Sequence, residues 1–266
     1  MSPDEGLPTT SVLDHPMLSE RLFFPRRESW NSPERFDVPV DGGATLACLW
    51  FHRHPSALTL LHFHGNGEIV TDYMPEFVHL ILDMGVNICL VEYRGYGAST
   101  GTPALAAMLG DGERVVEGLK IPDNRLVVFG RSIGSIYAVE LASRRPKIAG
   151  LVLESGIADV KQRVDVRLKA GDLGTTEGAL RDELGRLFDQ RAKLAKYPGP
   201  LLTLHTRRDG LIDMEHGERL HAWGGGTDKE LVIFEAGNHN TISLVNHRDY
   251  FDRLENFFEK VGRKSK

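Results

Sequence analysis

The sequence predicts an α/β fold: a mostly parallel, eight-stranded sheet with helices on both faces and a short helical cap. Three observations carry that prediction. Short apolar runs recur with helix-like stretches between them, the rhythm of a parallel sheet with right-handed crossovers. From residue 58 onward most of these runs are continuously apolar rather than alternating, as strands covered on both faces must be. Finally, Gly130-Arg131-Ser132-Ile133-Gly134 joins such a run to a helix-like stretch through one sharp turn.

The strand-like runs fall at 36–40, 44–51, 58–63, 87–92, 126–129, 150–154, 201–205 and 231–234. Asp41-Gly42-Gly43 joins the first two and has the turn chemistry of an antiparallel hairpin. Helix-like stretches lie at 72–84, 105–119, 136–145, 215–223 and 249–261. Between Glu154 and Leu201 the connection is longer than one crossover helix needs. There Val160, Val164 and Leu168 make one narrow helical stripe, and Leu180, Leu184, Leu187 and Phe188 make another, with a turn at 171–176. A small cap over the carboxyl edge of the sheet, at about 156–198, is the expectation, and one extended crossover helix is the alternative.

At 266 residues and 41% hydrophobic, the chain can bury one sizeable core, so a single domain is expected. The 32 basic and 37 acidic residues are interspersed, and a net charge of −5 gives no reason to expect a nucleic-acid partner or an anionic membrane surface. Arg263, Lys264 and Lys266 form a short basic tail, read as solvated. Cys48 and Cys89 each sit in an apolar run and read as buried free thiols of a reducing cytosol, a single disulfide being the alternative. No basic stretch leading into an apolar core opens the chain, and no apolar run approaches the roughly 18 residues a membrane span needs. A cytoplasmic protein without a transmembrane segment is expected, and its oligomeric state is left open.

The turn at Ser132 carries the first chemical signal. Strand and helix nearly touch around it, so Gly130 and Gly134 are required where a Cβ would collide. The geometry lifts the Ser132 hydroxyl above the sheet at a helix N-terminus, where a developing anion is favoured. Serine at neutral pH needs a base, and the base needs an orienting acid. The run 201–205 leads into Thr206-Arg207-Arg208-Asp209, and the run 231–234 leads into Glu235-Ala236-Gly237-Asn238-His239-Asn240. Asp209 and His239 thus lie in loops past strand ends, and the carboxyl-end loops of a parallel sheet converge in space. Asp213 and Glu154 compete with Asp209 for the acid, and His216, His221 and His247 compete with His239 for the base. The alternating His62/His64 and His52/His54 could suggest a metal site, but loop-supporting hydrogen bonds are the plainer reading, and no metal or cofactor is expected.

The order Ser, Asp, His is that of the α/β-hydrolases. The chain resembles that superfamily, and within it the serine hydrolases that include the eukaryotic α/β-hydrolase-domain protein depalmitoylases. The matching residues are His64-Gly65-Asn66-Gly67, Tyr93-Arg94-Gly95-Tyr96-Gly97-Ala98-Ser99-Thr100-Gly101, Gly130 to Gly134, Asp209 and Gly237-Asn238-His239-Asn240. The resemblance implies an α/β-hydrolase domain over 36–266, with residues 1–35 as an extension packed on it. It further implies Ser132 as nucleophile, His239 as base, Asp209 as acid, and an oxyanion hole from the backbone N–H groups of Asn66 and Ile133. A small-molecule ester or acyl substrate, cleaved as a carboxylic ester or thioester, is the expected partner. The alternatives are a peptidase or a lipid-directed acyl-protein thioesterase on the same scaffold, or a binding protein without catalysis. The depalmitoylases attach to membranes through a cysteine-rich N-terminal segment, whereas residues 1–30 here contain no cysteine. Glu92 stands where that pattern has Asp, and an ion pair between Glu92 and Arg94 is expected; Asp213 stands where the pattern tends to have Pro, and Glu68 is expected to line the pocket or cap a helix.

Overall fold

In the computed structural model, which describes residues 11–264, β1 (Arg35–Pro39) and β2 (Thr45–Phe51) form the antiparallel hairpin that Asp41-Gly42-Gly43 predicts. Gly42 and Gly43 both adopt φ of 77°, a region costly for a residue with a Cβ. There follow β3 (Thr59–Phe63), β4 (Asn87–Val91), β5 (Leu126–Arg131), β6 (Gly150–Glu154), β7 (Leu201–Thr206) and β8 (Lys229–Phe234). They hydrogen-bond in the order β1-β2-β4-β3-β5-β6-β7-β8. β2 meets β4 antiparallel, and every pair from β4 to β8 is parallel.

Every residue of β3 through β7 is buried, which is why those runs show no alternation. Their side chains divide between two cores. Leu61, Phe63, Val128 and Leu153 point toward α3 (Asp111–Leu119), α4 (Gly134–Arg144) and Leu220 of α8 (Met214–Trp223). Leu60, Val127, Phe129 and Val152 point the other way, toward α2 (Glu76–Asp83) and α10 (His247–Lys264).

Two expected helices are shorter than their periodicity suggests. Where a helix over 72–84 is expected, the chain makes a 3₁₀ turn, Val70–Tyr73, before α2 begins, because Pro75 has no N–H to continue the helix and Met74 is extended at φ −97°, ψ 144°. Within 105–119 a 3₁₀ turn, Ala107–Gly110, precedes α3, and Asp14 accepts from the Ala106 and Ala107 N–H groups at 2.8 and 3.0 Å. Two short helices had no periodic signal: α1 (Pro16–Leu22), started by Pro16 at its first position with His15 accepting from Met17 N–H, and α9 (Ile242–Val245).

The long connection after β6 folds as α5 (Val160–Asp165), a 3₁₀ turn (Ala170–Leu173), α6 (Glu177–Phe188) and α7 (Gln190–Leu194), not as one extended helix. Asp159 and Thr176 accept from the first turns of α5 and α6. Val160, Val164, Leu168, Leu180, Leu184 and Phe188 are buried, in one apolar cluster with Leu13, Leu18, Leu22 and Phe23. Residues 11–23 therefore seat these helices; the first ten residues of the expected extension, and Lys266 of the basic tail, lie outside the described residues. Cys48 and Cys89 are buried and free. Among the described residues, no helix is long and apolar enough to cross a membrane.

Candidate active site

β5 ends in the sharp turn the glycines demand. Ser132 adopts φ of 52°, and its N–H donates to the Glu154 carbonyl at 2.9 Å, which holds the turn against β6. A Cβ at Gly130 would lie 2.6 Å from Ser135 Cα, and one at Gly134 would lie 2.2 Å from the Phe63 carbonyl oxygen. Neither contact can be relieved by a side-chain rotation, so both positions require glycine. The Ser135 hydroxyl donates to the Ser132 carbonyl at 2.6 Å and fixes the start of α4.

Three loops meet over this turn. His239 lies 3.0 Å from Ser132 Oγ through Nε2 and 2.7 Å from Asp209 Oδ2 through Nδ1. The carboxylate holds the Nδ1 proton in place, which leaves Nε2 to accept from the serine hydroxyl. Asp209 is itself oriented: its Oδ1 accepts from Leu211 and Ile212 N–H at 2.9 and 2.8 Å. Burial pushes this carboxyl up, but the bonds from His239, Ile212 and Leu211 outweigh it and bring the pKa down to about 2. Behind it, His205 Nε2 contacts the Ile212 carbonyl at 2.9 Å and sits 3.5 Å from Asp209 Oδ2.

The competing residues take no part in this arrangement. Glu154 pairs with Arg131 and accepts from Tyr250. Asp213 precedes α8, and His216 accepts from Ala158 N–H at 3.0 Å while burial lowers its pKa to about 4. His247 packs on Phe251, and His62 is enclosed by Tyr73, Phe77 and Phe129, where burial and the His64 charge bring its pKa down to about 3.

The loop after β3 brings Asn66 to the same place. Its side chain is clamped: Nδ2 donates to the Leu22 carbonyl at 2.7 Å, and Oδ1 accepts from Phe24 N–H at 3.0 Å and the Tyr96 hydroxyl at 2.7 Å. Neither the Asn66 nor the Ile133 backbone N–H donates a hydrogen bond among the described residues. Beneath this loop, the expected Glu92–Arg94 pair does not form. Arg94 instead grips Asp111 in a two-pronged ion pair at 2.6 and 2.8 Å. Glu92, just past the end of β4, turns inward to His64 Nε2 at 2.8 Å and accepts from Val70 N–H at 3.1 Å. With its Nδ1 2.8 Å from the Gly65 carbonyl, both ring nitrogens of His64 face acceptors. Burial disfavours the charged ring, yet the Glu92 hydrogen bond and charge prevail and raise its pKa.

Arg131 is the functional residue that sequence reasoning passed over. Its guanidinium meets Glu68 at 2.8 Å, Glu154 at 2.6 Å and the His239 carbonyl at 2.9 Å. Glu68 also accepts from Gly65 N–H at 2.7 Å and the Tyr73 hydroxyl at 2.6 Å. Against its burial, the Arg131 charge and these bonds hold Glu68 at a pKa of about 2. One side chain thus ties together the serine turn, the histidine loop, the Asn66 loop and the end of β6. A charged residue inside an apolar strand-to-turn segment was the available signal, since such a group requires buried counter-charges.

Above these groups lies a cavity of about 340 Å³ lined by Ser132, His239, Asn66 and Ile133. Leu22, Leu105, Ile136, Ile157, Val160 and Ile212, drawn from the N-terminal segment, the cap and the core, give it apolar walls, and Glu68, Arg163 and Arg167 also line it. The arrangement sets a hydroxyl, an imidazole and a carboxylate in line beside two backbone N–H groups that donate no hydrogen bond among the described residues.

The fold and the site define the class, an α/β-hydrolase. A family model described as serine aminopeptidase, S33, matches residues 53–187, about half of the chain, and the chain belongs to that family. An α/β-hydrolase domain-containing protein of Caenorhabditis elegans, aho-3, is 30% identical over 220 residues, which cover 80% of this chain and 61% of that protein. The α/β-hydrolase domain-containing protein 17C of Xenopus laevis is 27% identical over 249 residues, covering 89% of this chain and 75% of the relative. Among solved structures, the Pyrococcus furiosus esterase Pf2001 superposes with a TM-score of 0.69 at 20% identity, over 89% of this chain and 98% of the esterase. An esterase from Exiguobacterium antarcticum superposes at 0.63 and 16% identity, over 85% of this chain and 99% of that one. The chain thus belongs to a hydrolase family, and solved esterases are among the structures that share its fold.

Proposed function

We propose that the protein is a serine hydrolase that cleaves a carboxylic ester or thioester through an acyl-enzyme on Ser132. The observation that carries this reading is one imidazole bridging 3.0 Å to the Ser132 hydroxyl and 2.7 Å to the Asp209 carboxylate. His239 takes the proton from Ser132 as its oxygen attacks the carbonyl, and Asp209 fixes the ring's tautomer and stabilises its positive form. The free N–H groups of Asn66 and Ile133 receive the tetrahedral oxyanion, each such donor being worth about 3 kcal/mol in related chemistry. His239 then returns the proton to the leaving group and activates water for the second half-reaction, so the chain's own residues supply every proton transfer.

The family's description suggests a peptidase, which would need a free carboxylate to hold a substrate amine. Glu68 lines the cavity but is engaged by Arg131, and the cationic side chains at the rim are arginines, so the pocket favours esters over N-terminal peptides. Ser132→Ala should lower turnover of a p-nitrophenyl short-chain ester by at least about 10³-fold and abolish labelling by a fluorophosphonate probe. Undiminished turnover by folded Ser132→Ala protein removes the serine from this role. An acyl-length series run in parallel on thioesters separates a general esterase from an acyl-protein thioesterase.

A further inference from the structure

The mouth of the catalytic cavity carries cations that no carboxylate among the described residues neutralises. Arg163, on α5, and Arg167, four residues on, both line the cavity that holds Ser132 and His239. Arg163 donates through Nη1 to the Leu211 carbonyl at 2.8 Å, while its Nε is buried with no acceptor. Arg167 rests its guanidinium 5.4 Å from the Phe24 ring centroid, and its carbonyl takes a bond from Arg21, which adds a third cation to this edge. Among the described residues, none of the three makes an ion pair with a carboxylate. The contrast lies a few residues away, where Lys161 pairs with Asp165 and the carboxylate of the cavity, Glu68, is bound by Arg131.

A buried guanidinium N–H without an acceptor is unusual, because leaving it unmet forfeits its solvation. That Nε is closed to solvent, so a ligand oxygen would be met by the outer guanidinium nitrogens of Arg163 and Arg167 and would balance the local positive charge, where charge-assisted bonds are strong. We infer that Arg163 and Arg167 form an anion subsite of the catalytic pocket, and that the substrate is an ester or thioester bearing a carboxylate or phosphate along with its apolar acyl part. This rests on the serine-hydrolase reading and names the substrate class for that site. The apolar walls seat the acyl chain, and the arginines of the cap hold the charged end. Phe24, Val166 and Leu211, exposed at 47%, 65% and 58%, ring the same mouth and would contact the uncharged stem of such a substrate.

Two isosteric ester pairs test the subsite on the full chain. In one the leaving group differs, 4-carboxyphenyl against 4-carbamoylphenyl butyrate; in the other the acyl group differs, mono-p-nitrophenyl glutarate against p-nitrophenyl glutaramate. The wild type is expected to prefer the anionic member of at least one pair by about tenfold in kcat/KM, the size of one charge-assisted contact. That ratio should collapse toward unity in Arg163→Gln/Arg167→Gln, persist in Arg163→Lys/Arg167→Lys, and weaken with added salt. Because the ratio is taken within one protein sample, partial unfolding of a variant does not alter it. Equal turnover of charged and neutral members by the wild type overturns the subsite, as does a preference that survives in the double Gln variant. A preference seen only for p-nitrophenyl esters carried in phosphatidylglycerol rather than phosphatidylcholine vesicles also overturns it, in favour of surface attraction. The underlying reading fails differently: no ester is turned over, or turnover survives Ser132→Ala.

Discussion

The floor and the rim of the cavity are both built around arginine, and they use it in opposite ways. At the floor, Arg131 is enclosed by Glu68, Glu154 and the His239 carbonyl, and those carboxylates are capped in turn by Tyr73 and Tyr250. At the rim, among the described residues, Arg163 donates to a carbonyl and Arg167 rests on an aromatic face, and neither pairs with a carboxylate. A buried charge with every partner in place is a clamp, because removing any member strands the others. A charge left without a counter-ion at a pocket mouth contributes little to folding and is free for a ligand. The difference separates residues that hold the site together from residues positioned to select what enters it.

Removing Arg131 is the hardest blow to the floor. Arg131→Met leaves Glu68 and Glu154 buried without their cation, and a loss of about 3–5 kcal/mol is expected, or a Tm lower by about 10 °C. In protein that still folds, kcat should fall more than KM rises, since the His239 backbone and the Asn66 loop lose their common tie; thermal melts and steady-state kinetics read the two effects separately. A melt within a degree of the wild type would erase the distinction between floor and rim.

The buried His64–Glu92 pair gives the next effect, through pH. The folded-state pKa of His64 is raised, so its contribution to stability is fully present below the unfolded value of about 6.5 and is lost as pH rises through the folded value. Urea denaturation stepped upward from pH 6 should therefore show the wild type losing stability that Glu92→Gln, lacking the counter-charge, does not lose over the same window. Parallel curves for the two proteins would mean that the ring is neutral in both. The rim should give the smallest effect on folding: Arg163→Gln/Arg167→Gln is expected to change unfolding free energy by no more than about 0.5 kcal/mol, as surface substitutions do. A shift of several kcal/mol in that double variant would make these arginines structural supports of the cap.

Much of the site could be read from the chain because its signals are local. The glycines around Ser132, the apolar run that precedes each loop and the turn residues beside His239 all act within a few positions, so the backbone physics that needs them is written next to them. Glu92 and Arg94 show where such reading stops. Two residues apart at a strand end, they look like a pair, yet the strand's pleat and the turn that follows send one to His64, 28 residues back, and the other to Asp111, 17 residues on. Arg131 and the His239 carbonyl are likewise 108 residues apart, and no pattern in either segment names the other. The cap helices had their apolar stripes in the sequence, but α1, which seats them, had no periodicity to offer.

By itself the sequence determined the sheet, its two apolar faces, the glycine turn under Ser132 and the loops that carry Asp209 and His239, because burial and sterics at each position select residue types independently of distant partners. The tertiary structure alone decided which charges are spent on one another and which are left over. Ion pairs depend on side-chain direction and on distances across the fold, and a charged residue in the sequence looks the same whether its counter-ion is a buried carboxylate or an incoming ligand.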